Sequence, residues 1–165
     1  MTRETRLQRL RELAEGPEPD EYTLNTEAIA LGADLDGLAL LVDRFGRSPN
    51  ALLVRAVTFP LARAPWELSG AGPPLGEVVV NFLRATGAST DAGTLIGCAT
   101  ALQGLSQRRW LLLVNEDDRC AVLGFLDHCL SHTDRNVVGA CIDLIGHLVA
   151  DGTLDEAVPR GGREE

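Results

Sequence analysis

Ser48-Pro49-Asn50-Ala51-Leu52-Leu53-Val54-Arg55-Ala56-Val57 recurs in altered form twice further along the chain. Its counterparts are Thr90-Asp91-Ala92-Gly93-Thr94-Leu95-Ile96-Gly97-Cys98-Ala99 and Thr133-Asp134-Arg135-Asn136-Val137-Val138-Gly139-Ala140-Cys141-Ile142, at offsets of 42 and 43 residues. In register, Leu53 matches Leu95 and Val138, and Ala56 matches Cys98 and Cys141. Val57 matches Ala99 and Ile142, and Pro60 matches Leu102 and Ile145. Each set follows i, i+3, i+4, i+7 spacing, which puts its members on one face of a helix. Each segment opens with a hydroxyl side chain, Ser48, Thr90 or Thr133, predicted to cap that helix, and in two of them aspartate follows in the first turn.

The same offsets align the residues upstream. Leu38, Val80 and Leu123 correspond, as do Leu40, Phe82 and Phe125, and Leu41, Leu83 and Leu126. They predict a first helix in each unit, near 34–45, 75–86 and 118–131. Short turns such as Gly46-Arg47-Ser48-Pro49 and Gly87-Ala88-Ser89-Thr90 separate the two helices of a unit. Two helices repeated at this period are the mark of a stacked α-solenoid. On the Ser48 and Thr133 segments, the sequence resembles the HEAT and armadillo-like repeat family, whose second helix runs aspartate, then valine or arginine, then a small residue. The resemblance covers about residues 34–150. It implies an all-α, right-handed superhelix of about three helix-turn-helix repeats whose second helices line a concave binding face. The chain departs from the pattern at Thr94 and Gly97, where bulkier residues are usual. It departs again at Pro60, predicted to kink its helix or end its hydrogen bonding early.

Working outward, residues 1–33 read as N-terminal capping helices and linker. Thr2 to Ala14 is an amphipathic helix with Leu7, Leu10, Leu13 and Ala14 on one face, Gly16-Pro17-Glu18-Pro19-Asp20 stops it, and a short helix follows over Thr26 to Leu31. The repeats are then 34–73, 74–115 and 116–158, with 159–165 a disordered tail. The chain has 165 residues, 45% of them hydrophobic, which suits one domain with its own core. The charged N-terminus does not read as a secretory signal, and the longest apolar runs, Leu38 to Val42 and Trp110 to Val114, fall far short of a membrane span. A cytoplasmic protein is expected. Its four cysteines contain no Cys-x-x-Cys, so they read as small buried apolar residues.

Catalytic chemistry finds little to work with. All 15 basic residues are arginine, so there is no lysine for a Schiff base or a phosphate loop. Cys120, His128, Cys129 and His132 crowd one helix, and the two histidines share a face. Cys129 lies about 100° round the helix from His128, however, so no metal site is expected. Asp143 and His147 are one turn apart, but no serine or cysteine is placed to complete a relay. Gly70-Ala71-Gly72-Pro73-Pro74 is a linker and not a nucleotide loop. Arg108-Arg109 beside Trp110 is the one adjacent arginine pair, too little for nucleic acid on a chain of net charge −9. Arg3, Arg6, Arg9 and Arg11, interleaved with Glu4, Glu12 and Glu15, read as a salt-bridged solvated face.

The charge is not spread evenly. Residues 116–158 hold nine acids against Arg119 and Arg135, which gives −7 of the total −9. Such an end either steers a cationic partner or simply keeps the chain soluble, and the sequence leaves both readings open. The non-core positions of the second helices are predicted to be Arg55, Thr58, Ala62, Thr100, Gln103, Arg135, Asn136, Asp143 and His147, with Asp127 and Asp151 completing the acidic end. No catalytic or metal-ligating residue and no cofactor is expected. The expected function is a non-enzymatic module, an adaptor or neutralising partner, that binds another protein or peptide, a basic one in particular. Two alternatives stay open: an immunity-type protein that blocks a cationic toxin, and a small metal- or cofactor-binding enzyme subunit.

Overall fold

A computed structural model describes residues 1–154, and these residues are all-α, with eight helices and no strand among them. In chain order they are α1 (Arg3–Glu15), α2 (Glu21–Leu31), α3 (Leu35–Phe45), α4 (Ala51–Glu67), α5 (Pro73–Thr86), α6 (Ala92–Arg108), α7 (Glu116–Leu130) and α8 (Arg135–Ala150). The tail expected over 159–165 lies outside the described residues.

Polar side chains fix where the helices start. Thr2, Asp20, Asp34, Asn50, Asp91, Asn115 and Asp134 each accept a backbone N–H from the first turn they precede, satisfying donors that have no partner inside the helix. In the three recurring segments the cap is therefore Asn50, Asp91 or Asp134, and not the hydroxyl residue that opens the segment. The residues just before them take a supporting role. Ser48 Oγ accepts from the Asn50 N–H at 3.1 Å, and Ser89 Oγ from the Asp91 N–H at 3.1 Å. Asp20 starts α2 five residues earlier than the apolar pattern suggests, because its carboxylate binds both the N–H and the hydroxyl of Thr23.

Two helix ends are unusual. α6 finishes with Arg109 in the left-handed region at φ 60°, its N–H bonded to the Ser106 carbonyl, while the Trp110 N–H bonds back to Leu105. That is the paired hydrogen bonding of a Schellman stop, a place that favours glycine. α4 runs through both Pro60 and Pro65 to Glu67, so the helix continues past the proline expected to kink it or end its hydrogen bonding early. The ring has a use there: a Cβ on Gly32, just past α2, would lie 2.6 Å from the Pro60 Cβ, so glycine and proline fit into each other at the α2–α4 contact.

The helices pack in two layers. α2, α4, α6 and α8 lie against one another in succession, and α3, α5 and α7 do the same, with α3, α5 and α7 joined to α4, α6 and α8. α1 covers α2 and α4. The core between the layers holds Phe45, Phe82 and Phe125 with the matched leucines Leu41, Leu83 and Leu126. The column Ala56, Cys98, Cys141 is buried throughout, and all three side chains are small. Glycine serves close packing between α4 and α6: a Cβ on Gly97 would stand 2.4 Å from that of Thr58.

Candidate binding surface

Conserving helix register does not conserve exposure, and the predicted binding residues divide accordingly. Arg55 is committed to holding helices together. Its Nε and Nη2 donate to the two Asp91 carboxylate oxygens at 3.0 and 2.8 Å, and Nη1 donates to Glu21 at 2.7 Å. One guanidinium thus joins α2, α4 and the cap of α6. The guanidinium holds the Asp91 carboxyl well below the usual range, at about 2. Thr58 is not on an open face: it is 3% exposed, with its hydroxyl donated to the Arg55 carbonyl at 2.6 Å. The sequence pattern placed it outside because α4 buries a wider arc than the repeat columns mark.

The remaining residues sit on α6, α7 and α8. Thr100 is exposed and Gln103 half-buried on α6; Asp127 is exposed on α7; Arg135, Asn136 and Asp143 are exposed on α8. His147 is half-buried, with Nδ1 3.5 Å from Gln107 Nε2, so it leans on α6 and not towards Asp143. Asp151 accepts a hydrogen bond from the Ser106 hydroxyl and another from the Thr153 N–H, which ties the end of α8 to α6. It is a clasp more than a free charge.

The acidic end keeps an electrostatic surplus. Of its two described arginines, Arg119 is paired with Glu116 at 2.8 Å, and Asp118 is taken by Arg84 of α5. Among the described residues, Asp117, Asp127 and Asp143 pair with no arginine. Elsewhere the ion pairs other than Arg63–Glu67 within α4 run between elements, among them Arg3 to Asp34, Arg44 to Glu4 and Arg9 to Glu27. α1 is salt-bridged as its pattern suggests, but to its neighbours and not to itself.

The residues considered for metal binding are spread apart. His128 Nε2 lies 2.7 Å from the Ser89 carbonyl and His132 Nε2 3.0 Å from that of Thr90, so both rings brace α7 against the α5–α6 turn. Cys129 is buried, and Cys120 is exposed, contrary to the expectation of four buried thiols. No cluster of three or more ligand-type side chains occurs among the described residues. Burial pushes the Cys98 thiol up to about 12 and the Cys129 thiol to about 12, which makes both poor nucleophiles at neutral pH.

Sequence reasoning missed an aromatic feature. Phe59 is 40% and Trp66 55% exposed, seven residues apart on α4, and Tyr22 is exposed on α2. The signal was present: Phe59 and Trp66 lie two turns apart on one face, off the arc of Leu53, Ala56 and Val57. Large exposed aromatics of this kind are enriched at protein contacts. A scan against protein-family models, a search of curated proteins and a search of solved structures each find no match to this chain.

Proposed function

We propose that this chain is a non-enzymatic protein-binding module, an α-solenoid of three helix pairs (α3/α4, α5/α6 and α7/α8) capped by α1 and α2. It works in the cytoplasm, and its partner is a basic protein met by the α7–α8 end and the adjoining second-helix face. The observation that carries the reading is the net charge of that end: between residues 116 and 154 seven acids stand against Arg119 and Arg135, and the exposed Asp127 and Asp143 pair with neither. Unpaired surface carboxylates speed the approach of a cationic partner, and they act through salt-sensitive, long-range attraction. The exposed Phe59 and Trp66 on α4 supply apolar anchors on the same layer of helices. Four free thiols suit a reducing compartment, and no described helix is long and apolar enough to cross a membrane.

The test compares the intact chain with the double variant Asp127→Arg/Asp143→Arg as immobilised bait, with quantitative mass spectrometry of what each captures. Both positions are exposed, so the variant should fold. Basic proteins enriched by the intact chain, lost by the variant and released by salt support the reading. Identical capture by both baits sinks it.

A further inference from the structure

Arg109, in the left-handed region at φ 60°, turns the chain out of α6, and the next five residues, Trp110 to Val114, form no helix. Exposure alternates along them: Leu111 is 6% exposed, Leu112 53%, Leu113 5% and Val114 78%. A period of two is that of an extended strand. The backbone N–H groups of Leu111, Leu112, Leu113 and Val114 bond to no other backbone carbonyl among the described residues. Both ends of the segment are fastened. Gly76 of α5 lies so close that a Cβ there would stand 2.4 Å from the Trp110 carbonyl oxygen. At the other end Arg119 Nη1 donates to the Leu113 carbonyl at 3.1 Å.

Between this segment and α5 lies a slot of about 130 Å³, lined by Val80, Trp110, Leu111 and Leu112 together with Glu77 and Asp118. An apolar cavity of about 150 Å³ takes a benzene ring, so the slot has room for one slender side chain. Its two carboxylates differ. Asp118 is held by Arg84, whereas Glu77 is exposed and pairs with no arginine among the described residues. Arg108 is engaged 4.6 Å over the Trp110 ring and does not pair with Glu77. An apolar wall with one uncompensated carboxylate matches a lysine or arginine, whose methylenes go inside while the charged head stays wet at the rim. An acidic side chain would meet two charges of its own sign.

We infer that the slot and the segment beside it receive an extended stretch of a basic protein. The stem of one lysine or arginine enters between α5 and the segment, and its cation meets Glu77. The incoming backbone offers its carbonyls to the N–H groups of residues 111–114, as in strand addition. Leu112 and Val114, on the exposed side, then lie against alternate side chains of the incoming strand. The inference rests on the reading of the partner as basic, and it adds a short-range anchor at a place distinct from Asp127 and Asp143. The exposed Glu116 and Asp117, just past Val114, extend the charge match along the same strand.

Fluorescence anisotropy of the labelled peptide Val-Lys-Val-Lys-Val-Lys, titrated with the full chain, tests this. Saturable binding is expected. Norleucine in place of lysine keeps the stem and drops the charge; diaminopropionic acid keeps the charge and shortens the stem. Each exchange should weaken binding at least about tenfold. Glu77→Gln, at an exposed position, should leave the helical circular dichroism intact and weaken binding about three- to tenfold. Leu112→Asp/Val114→Asp should abolish it, although it adds negative charge. A purely electrostatic attachment would respond in the opposite direction. Absence of binding overturns the inference, as does binding indifferent to stem length or to Glu77→Gln. Binding lost with Asp127→Asn/Asp143→Asn but kept with Glu77→Gln overturns it by locating the peptide on the α7–α8 end. A chain that is dimeric alone, and monomeric with Leu112→Asp/Val114→Asp, overturns it by assigning the segment to a second copy. Capture of basic proteins that depends on Asp127 and Asp143, with no peptide binding, strikes the slot alone and leaves the partner reading standing.

Discussion

Arg55 holds Asp91 by two parallel hydrogen bonds and thereby ties the middle of α4 to the first turn of α6. Asp91 at the same time caps α6 through the Thr94 N–H at 2.9 Å. One carboxylate therefore serves a helix start and an interhelical clamp. Its carboxyl sits at about 2, below the ordinary 3.8, so the ionised form is the one the fold favours. The clamp's contribution is complete above about pH 4 and disappears as pH falls towards 2. The shift corresponds to about 2 kcal/mol, and nearer 1 once partial solvent contact is allowed for. Denaturant melts of the intact chain and of Asp91→Asn across pH 2–5 should converge at the acid end and separate above it. Parallel curves would show that Asp91 is not the group responsible.

Glycine substitutions should split by what stands opposite. Gly97→Ala drives a methyl into Thr58 and should destabilise the chain by about 1–3 kcal/mol. Gly124→Ala on α7 meets open space and should raise stability by about 0.5–1 kcal/mol through helix propensity. Chemical denaturation of the two variants checks both signs.

Arg109→Gly should stabilise the chain by about 0.5–1 kcal/mol, since the left-handed Schellman position costs an arginine what it does not cost a glycine. Arg109 is exposed, so little contact is lost. A lower melting temperature for the variant would mean that the side chain matters more than its backbone angle.

Thiol labelling of the native chain should modify one cysteine quickly, and peptide mapping should identify it as Cys120. Cys98, Cys129 and Cys141 are buried, and burial also pushes their thiols upward. They should react only as the chain unfolds. Early modification of Cys98 would contradict its place in the core.

The helices were legible in the sequence because burial at i, i+3, i+4 and i+7 repeats at a nearly constant offset, and Leu53, Leu95, Leu41, Leu83 and Leu126 are all buried where that pattern puts them. The cap residues were off by one or two, because Ser48 and Asn50 are equally good acceptors and only the backbone decides which one faces the first turn. Pro60 was legible as a lost backbone donor inside α4, but the sequence could not show that Gly32 of the α2–α4 contact packs against its ring. The surface was the least legible part. Arg55 looks like a free cation along the chain, but Asp91 and Glu21, 36 and 34 residues away, have already claimed it. Ile142 looks like a core residue, yet no described helix lies beyond it.

Layered contact between neighbouring helices has a consequence for how the molecule breathes. α4 and α6 are each held from both sides, whereas α8 has α6 and α7 as its described neighbours. Amide exchange should then be slowest in the middle of the stack and fastest towards α8, where opening exposes one interface instead of two. The loosest part of the chain is also the part with the unpaired carboxylates. Whatever binds there gains affinity only by closing the helix that opens most readily, so occupancy of the acidic end would be felt as a tightening that spreads inward from α8.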